Sequence, residues 1–315
     1  MTPSIIAIRH GDAASLAAYR ATFAEEAPHI EVRDWNDPAL DPRAVDYALV
    51  WGRDPERLAA MVNLKALFSP GAGVEHIVGD PAWPAHLPLV RMFTEGFARR
   101  MGEYAILGAL ALMKDLPRNI AGQQAATWDQ FDPEPIAPDV RAGIMGMGNL
   151  GGATARMMRG FGFPVAGWSA TRKSIDGVES FAGMEELPAF LARTDMLVMM
   201  LPDTAATRGI MNARTLAMLP KGAGVVNAGR GPQLVLADLI AALDGGHLHG
   251  AFLDVFDPEP PPPAHPVWRH KRIIMTPHNA AFDTRRERAR YVARAILAFE
   301  RGEGLPNLYD AARGY

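Results

Sequence analysis

Short apolar runs recur along this chain in two series, separated by segments of helical spacing or by brief connections. In the first hundred residues the runs are SIIAI, IEVRD, YALVW, ALFS and LVR; later come VRAGIM, PVAGW, DMLVMML, GAGVVNA, GAFLDVF and RIIMTP. Stretches such as AASLAAYRATFAEEA and LVLADLIAALDGG have helical periodicity, the second closing on a glycine stop signal. Strands that are apolar nearly throughout are covered on both faces, and strands alternating with helices build parallel sheets. Two such series predict an α/β protein made of two doubly wound parallel-sheet domains. A length of 315 residues agrees with two domains and with cores that need no covalent staples.

The expected boundary lies near residue 98. RRMGEYAILGALALMKDLPRN reads as one long helix ending before Pro117, carrying the chain from one domain to the next. The helical stretch DTRRERARYVARAILAFERGEG follows the last apolar run, and a chain ending this way can return to its first domain. The expected division is therefore residues 1–97 with 286–315, and residues 98–285. DPEPPPPAHP, from Asp257 to Pro266, has the composition of a rigid connector.

Composition narrows the function. The absence of cysteine excludes disulfides, thiolate nucleophiles and cysteine–zinc sites, and no metal site is expected. A net charge of −3 gives no general attraction to nucleic acid or to an anionic membrane, so neither is expected as a partner. No apolar segment reaches membrane-spanning length, and the start MTPSIIAIRHGD lacks the form of a signal peptide, which predicts a cytoplasmic protein.

AGIMGMGNLGG contains Gly146-x-Gly148-x-x-Gly151 between the strand RAGIM and the helix GGATARMMRGFG, the setting that a dinucleotide fingerprint requires. Gly146 is assigned to the tight turn, Gly148 to close approach of a pyrophosphate, and Gly151 to helix–strand packing. Asn149 and Leu150 complete the loop, whose helix N-terminus favours an anion. The ribose-binding acid normally follows about 20 residues later. That place holds Ser169, followed by Thr171, Arg172 and Lys173. A hydroxyl removes the carboxylate that would repel a 2′-phosphate, and the cations attract one, so NADPH is expected to be preferred over NADH.

With SPGAGVEHI, GEYAI, GIMGMGNLGG, WSATRKS, NAGRG, GAFLDVFDPEP, TPHNAA and the closing ARGY, the chain resembles the D-isomer-specific 2-hydroxyacid dehydrogenases over nearly its whole length. Within them it is most similar to the glyoxylate/hydroxypyruvate reductase A group. The resemblance implies two Rossmann-like domains with the active site in the cleft between them, the first flavodoxin-like and substrate-binding. It also implies a homodimer formed through the cofactor domain. It assigns Arg230, Glu259 and His278 to catalysis, each just after an apolar run. A histidine can give a proton to a keto oxygen near neutral pH, a paired carboxylate favours its charged form, and a guanidinium fork suits a substrate carboxylate.

The resemblance further places Leu201, Pro202, Ala228, Gly229 and Asp254 beside the cofactor, with Asp254 mainly supporting Glu259. Backbone amides of Ala72, Gly73 and Val74 are implied to hold the substrate carboxylate, with Trp51 and Arg53 bordering the cleft. Two positions depart from the group's pattern: Ala170 interrupts the basic cofactor turn, and the polar Asn279 follows His278. The expected reaction is NADPH-dependent reduction of a small 2-oxoacid, glyoxylate or hydroxypyruvate. The alternatives are a reductase of bulkier 2-ketoacids and a dinucleotide-sensing, corepressor-like binding protein.

Overall fold

The computed structural model describes residues 3–52, 54–79, 84–132 and 135–315. The chain forms two compact units, Met1–Gly96 with Asp283–Tyr315, and Phe97–Phe282.

The first unit contains β1 (Ser4–Arg9), β2 (Ile30–Asp34), β3 (Tyr47–Val50), β4 (Ala66–Ser69) and β5 (Leu89–Arg91). They form one parallel sheet in the order β2-β1-β3-β4-β5, the flavodoxin-like order. Side chains alternate between its faces, as the twofold strand period demands. Ile6, Ile8, Tyr47, Leu49 and Phe68 enter one core, while Ala7, Ala48, Val50 and Leu67 enter the other. The terminal helix Arg285–Glu300 belongs to this unit and packs on the helix Ala13–Glu26. Ala289, Val292, Ala293 and Ile296 join Tyr19 and Phe23 in the first of these cores. At the rim, Glu26 takes both Arg290 and Arg294, at 2.7 and 3.1 Å.

The second unit contains β6 (Ala142–Met145), β7 (Val165–Ser169), β8 (Glu179–Ala182), β9 (Met196–Met199), β10 (Ala223–Asn227), β11 (Leu248–Leu253) and β12 (Ile273–Met275). All pair in parallel, in the order β12-β11-β10-β9-β6-β7-β8. Met145, Leu197, Met199, Val225, Ala251 and Leu253 face one core; Ile144, Met196, Val198, Val226 and Phe252 face the other. The chain thus adopts the expected α/β architecture of two parallel, doubly covered sheets.

Two local elements go beyond the expectation. β8 was not foreseen: its residues ESFA include no β-branched side chain and stay largely accessible, because the strand pairs on one side only, at the sheet edge. The long helix runs from Glu95 to Met113, and Pro117 lies in the first turn of a further helix, Leu116–Gln124. Proline is tolerated there because a helix's first N–H groups lack intrahelical partners anyway.

Candidate active site

In a parallel sheet every strand points the same way, so all the loops leaving the carboxyl ends gather along one edge. In sheet order, the loop after β12 carries His278, that after β11 carries Asp254 and Glu259, and that after β10 carries Ala228, Gly229 and Arg230. Then follow Leu201 and Pro202 after β9, the glycine loop after β6, and Ser169 to Lys173 at the end of β7. The order reverses between β9 and β7 around β6, so the glycine loop occupies a topological switch point, where open α/β sheets bind ligands.

The glycines meet distinct demands. Gly146 has φ +106°, and a Cβ there would lie 2.6 Å from the Met200 carbonyl oxygen. A Cβ on Gly151 would lie 1.8 Å from the Gly146 carbonyl oxygen, so the helix Asn149–Phe161 can approach the loop only without one. Gly148 caps that helix, and nothing lies within 4 Å of where its Cβ would stand. Tight backbone on two sides with open space at the middle glycine fits the passage of a pyrophosphate over the helix N-terminus.

At the end of β7, Ser169 is nearly buried and its hydroxyl donates to the Thr171 carbonyl at 2.8 Å, tightening the turn. Thr171, Arg172 and Lys173 are exposed. The Arg172 guanidinium donates to the Ser180 carbonyl and to the Glu186 carboxylate.

Arg230 leaves β10 through a turn held from below by two buried amides. The Asn227 side chain accepts from Gly229 N at 3.1 Å and donates to the Arg230 carbonyl at 3.3 Å. Gln233 accepts from Arg230 N at 3.4 Å and donates to the Leu201 and Pro202 carbonyls at 2.7 and 2.9 Å, tying two loops of the edge together. Both amides have 0% exposure, so their hydrogen bonds are made without competition from water. The Arg230 guanidinium donates to the Gly229 carbonyl at 2.8 Å. A Cβ on Gly231 would lie 1.9 Å from the Phe256 carbonyl oxygen, so this turn lies flat against the loop that carries Glu259.

Glu259 accepts from Phe256 N at 2.8 Å through one oxygen and meets His278 Nδ1 at 2.7 Å through the other. His278 is half-exposed and has φ +52°, a left-handed conformation uncommon outside glycine. Asp254 holds it there. This carboxylate, 2% exposed, accepts from Thr276 Oγ1 at 2.5 Å and from the amides of Asn279 and Ala280, each at 2.9 Å. The His278 amide donates to the Asp254 carbonyl at 2.9 Å. Thr276 also meets the Tyr104 hydroxyl at 2.6 Å, and burial pushes that phenol well above its usual range. The side-chain contacts of Asp254 thus run to the histidine loop.

The first unit holds the remaining candidates. Ala72, Gly73 and Val74 form the turn between β4 and the short helix Glu75–Val78. The buried Ser69 hydroxyl accepts from Gly71 N at 3.2 Å. Trp51 is half-exposed and lies against the His76 ring, with centroids 4.1 Å apart. A Cβ on Gly71 would meet the Trp51 ring at 3.0 Å. Arg53 lies outside the described residues.

Asn227, Gln233, Thr276 and Glu186 were not identified from the sequence. Polar residues at a strand end and in a tight turn, as in NAGRGPQ, are the only signal available for the first two.

A family model described as D-isomer specific 2-hydroxyacid dehydrogenase, NAD binding domain, matches residues 106–280. The chain is 43% identical over 305 residues to a glyoxylate/hydroxypyruvate reductase A from Salmonella paratyphi B, covering 95% of this chain and 96% of that protein. Among solved structures it is similar to a D-isomer specific 2-hydroxyacid dehydrogenase from Xanthobacter autotrophicus Py2 in complex with NADPH and MES, with TM-score 0.93, 35% identity and full coverage of both chains. It is also similar to an NADPH-dependent glyoxylate/hydroxypyruvate reductase from Sinorhizobium meliloti in complex with NADP and sulfate. There the TM-score is 0.89 and the identity 37%, over 99% of this chain and 100% of that one.

Proposed function

We propose that this chain, which belongs to the D-isomer specific 2-hydroxyacid dehydrogenase family, reduces glyoxylate and hydroxypyruvate to the corresponding 2-hydroxyacids and prefers NADPH. The observation that carries the reading is the 2.7 Å pair of His278 and Glu259 on the same sheet edge as the glycine loop.

The chemistry supplied by a bound nicotinamide is a hydride. The protein must supply the proton, the substrate's orientation and a counter-charge. With Nδ1 facing the Glu259 carboxylate, protonated His278 keeps Nε2–H for the keto oxygen. Glu259 orients the ring and is itself fixed by the Phe256 amide. Arg230, on a turn fixed by Asn227 and Gln233, is assigned to the substrate carboxylate and to the charge developing on the keto oxygen. Ala72, Gly73 and Val74, in the first unit, are assigned to the substrate carboxylate, and Trp51 and Arg53 to substrate binding.

Support for NADPH comes from the absence of an acid at the end of β7, from the exposed Thr171, Arg172 and Lys173, and from the NADPH and NADP bound by the two solved relatives. We also propose a homodimer through the second unit. Leu107, Leu116 and Ile120 are exposed on successive helices, and Trp128 is 95% exposed on the segment that follows. Arg118 fixes that segment through a two-point contact with Asp129 at 2.6 and 2.9 Å and by lying 4.4 Å from the Phe131 ring centroid. Large exposed apolar side chains gathered along one stretch of chain support an interface there.

The test is loss of NADPH absorbance with glyoxylate, hydroxypyruvate and phenylpyruvate, repeated with NADH. The expected result is the highest kcat/KM for the two small oxoacids with NADPH. Preference for phenylpyruvate would reassign the substrate class. No turnover with any oxoacid, alongside retained dinucleotide binding, would favour a sensor.

A further inference from the structure

We propose that Glu186 is a specificity-determining residue of the cofactor site: it holds the Arg172 guanidinium in an internal ion pair, so that a 2′-phosphate on the adenosine ribose must displace a carboxylate to recruit that cation. The inference rests on the NADPH reading above.

The corner is built by β8 and the helix Gly183–Ala192. Arg172 follows β7 and faces two acceptors on this neighbouring element, the Ser180 carbonyl within β8 and the Glu186 carboxylate in the helix. Glu186 is fixed independently of Arg172, because its other oxygen accepts from Ala182 N at 2.7 Å. That amide bond, ahead of the Arg172 contact, holds the Glu186 carboxyl below the usual glutamate range, so the group is charged at neutral pH. A carboxylate in a first helical turn is further favoured by the helix dipole. The partners remain 57% and 39% exposed, so the pair is weak enough to exchange for another anion.

The consequence concerns selectivity more than affinity for dinucleotides in general. Among the described residues the Lys173 ammonium makes no ion pair, so it is the cation available at once. Arg172 adds its forked donors only when it leaves Glu186. An adenosine lacking the 2′-phosphate makes no demand on Arg172 and is indifferent to Glu186.

The probes are 2′,5′-ADP and 5′-AMP, which differ only in the 2′-phosphate, titrated calorimetrically into the full chain. Glu186→Gln keeps an acceptor for Ala182 N while removing the charge. It should tighten 2′,5′-ADP about two- to fivefold, the range of an exposed ion pair, and leave 5′-AMP unchanged. In an Arg172→Ala background the same substitution should lose most of that gain. Failure of Glu186→Gln to tighten 2′,5′-ADP would overturn the proposal. So would an equal gain for 5′-AMP, or an undiminished gain without Arg172. A wild-type protein that does not distinguish the two ligands would count against NADPH preference alone; Glu186→Gln would then still be required to create the distinction.

Discussion

Replacing Asp254 by asparagine tests whether this carboxylate works through the histidine loop. Its Oδ1 accepts from Thr276 Oγ1 and Asn279 N, and its Oδ2 from Ala280 N. The amide keeps one oxygen, so the first two bonds persist but change from charged to neutral acceptance. At the third position an NH2 meets the Ala280 N–H, and that bond is lost. Hydrogen bonds to charged groups contribute about 1.5–3 kcal/mol and neutral ones about 0.5–1.5 kcal/mol. The sum is partly offset because an amide is less costly to bury than a carboxylate at 2% exposure. The net loss expected is about 2–4 kcal/mol, a large share of a typical folding stability. The left-handed His278 backbone, at φ +52°, then loses its main restraint. Hydrogen exchange of a peptide spanning residues 276–282 should accelerate, most at Asn279 and Ala280, and kcat should fall because His278, the proposed proton donor, is no longer held against Glu259. Wild-type exchange in that peptide, together with a denaturation shift worth under about 1 kcal/mol, would refute the assignment.

Four further outcomes are expected. His278→Ala should lower kcat by about 10²–10⁴, the range for general acid catalysis, while NADPH affinity measured by fluorescence titration stays near wild type. Ser169→Asp should weaken 2′,5′-ADP by repulsion and leave 5′-AMP nearly unaffected; equal binding of both would show that the end of β7 does not read the phosphate. Trp128→Ala should shift sedimentation velocity toward monomer at micromolar concentration if this surface is the dimer contact. In the first unit, burial and the adjacent Arg288 lower the His10 pKa from 6.5 to about 4. Between those values the unfolded chain binds more protons, so this contribution is present above pH 6.5 and is lost as pH falls toward 4. It amounts to about 2–3 kcal/mol after allowance for partial exposure, and denaturation of His10→Gln should lack that portion of the acid slope.

The sequence carried the architecture because buried parallel strands advertise themselves: runs such as DMLVMML and GAGVVNA have no polar face to hide. ESFA escaped notice because an edge strand need not be apolar on both sides, and the helix Leu116–Gln124 was not foreseen because Pro117, before which the long helix ends as expected, is also suited to start the next. The steric demands at Gly146 and Gly151 were legible, since no other residue tolerates φ +106° or a 1.8 Å approach. The supporting amides were not. Asn227 and Gln233 are ordinary polar residues until folding buries them, and nothing local says that Gln233 will clamp Leu201 and Pro202, some thirty positions earlier. Glu186 was hidden for the same reason: its partner Arg172 is 14 residues away, across an unforeseen strand.

Parallel strands stand about 4.8 Å apart, so the edge of the second sheet is in effect a graduated rail. Arg230 hangs from β10 and the Ser169 turn from β7, three intervals along the order β10-β9-β6-β7, or about 14 Å. Each graduation is bolted to the strand ladder and can be re-lettered by itself. On the proposed assignments, a designer who rewrites the β7 end to accept another dinucleotide would leave the β10 end where it stands, so cofactor choice and choice of keto acid would be separable inheritances of one scaffold.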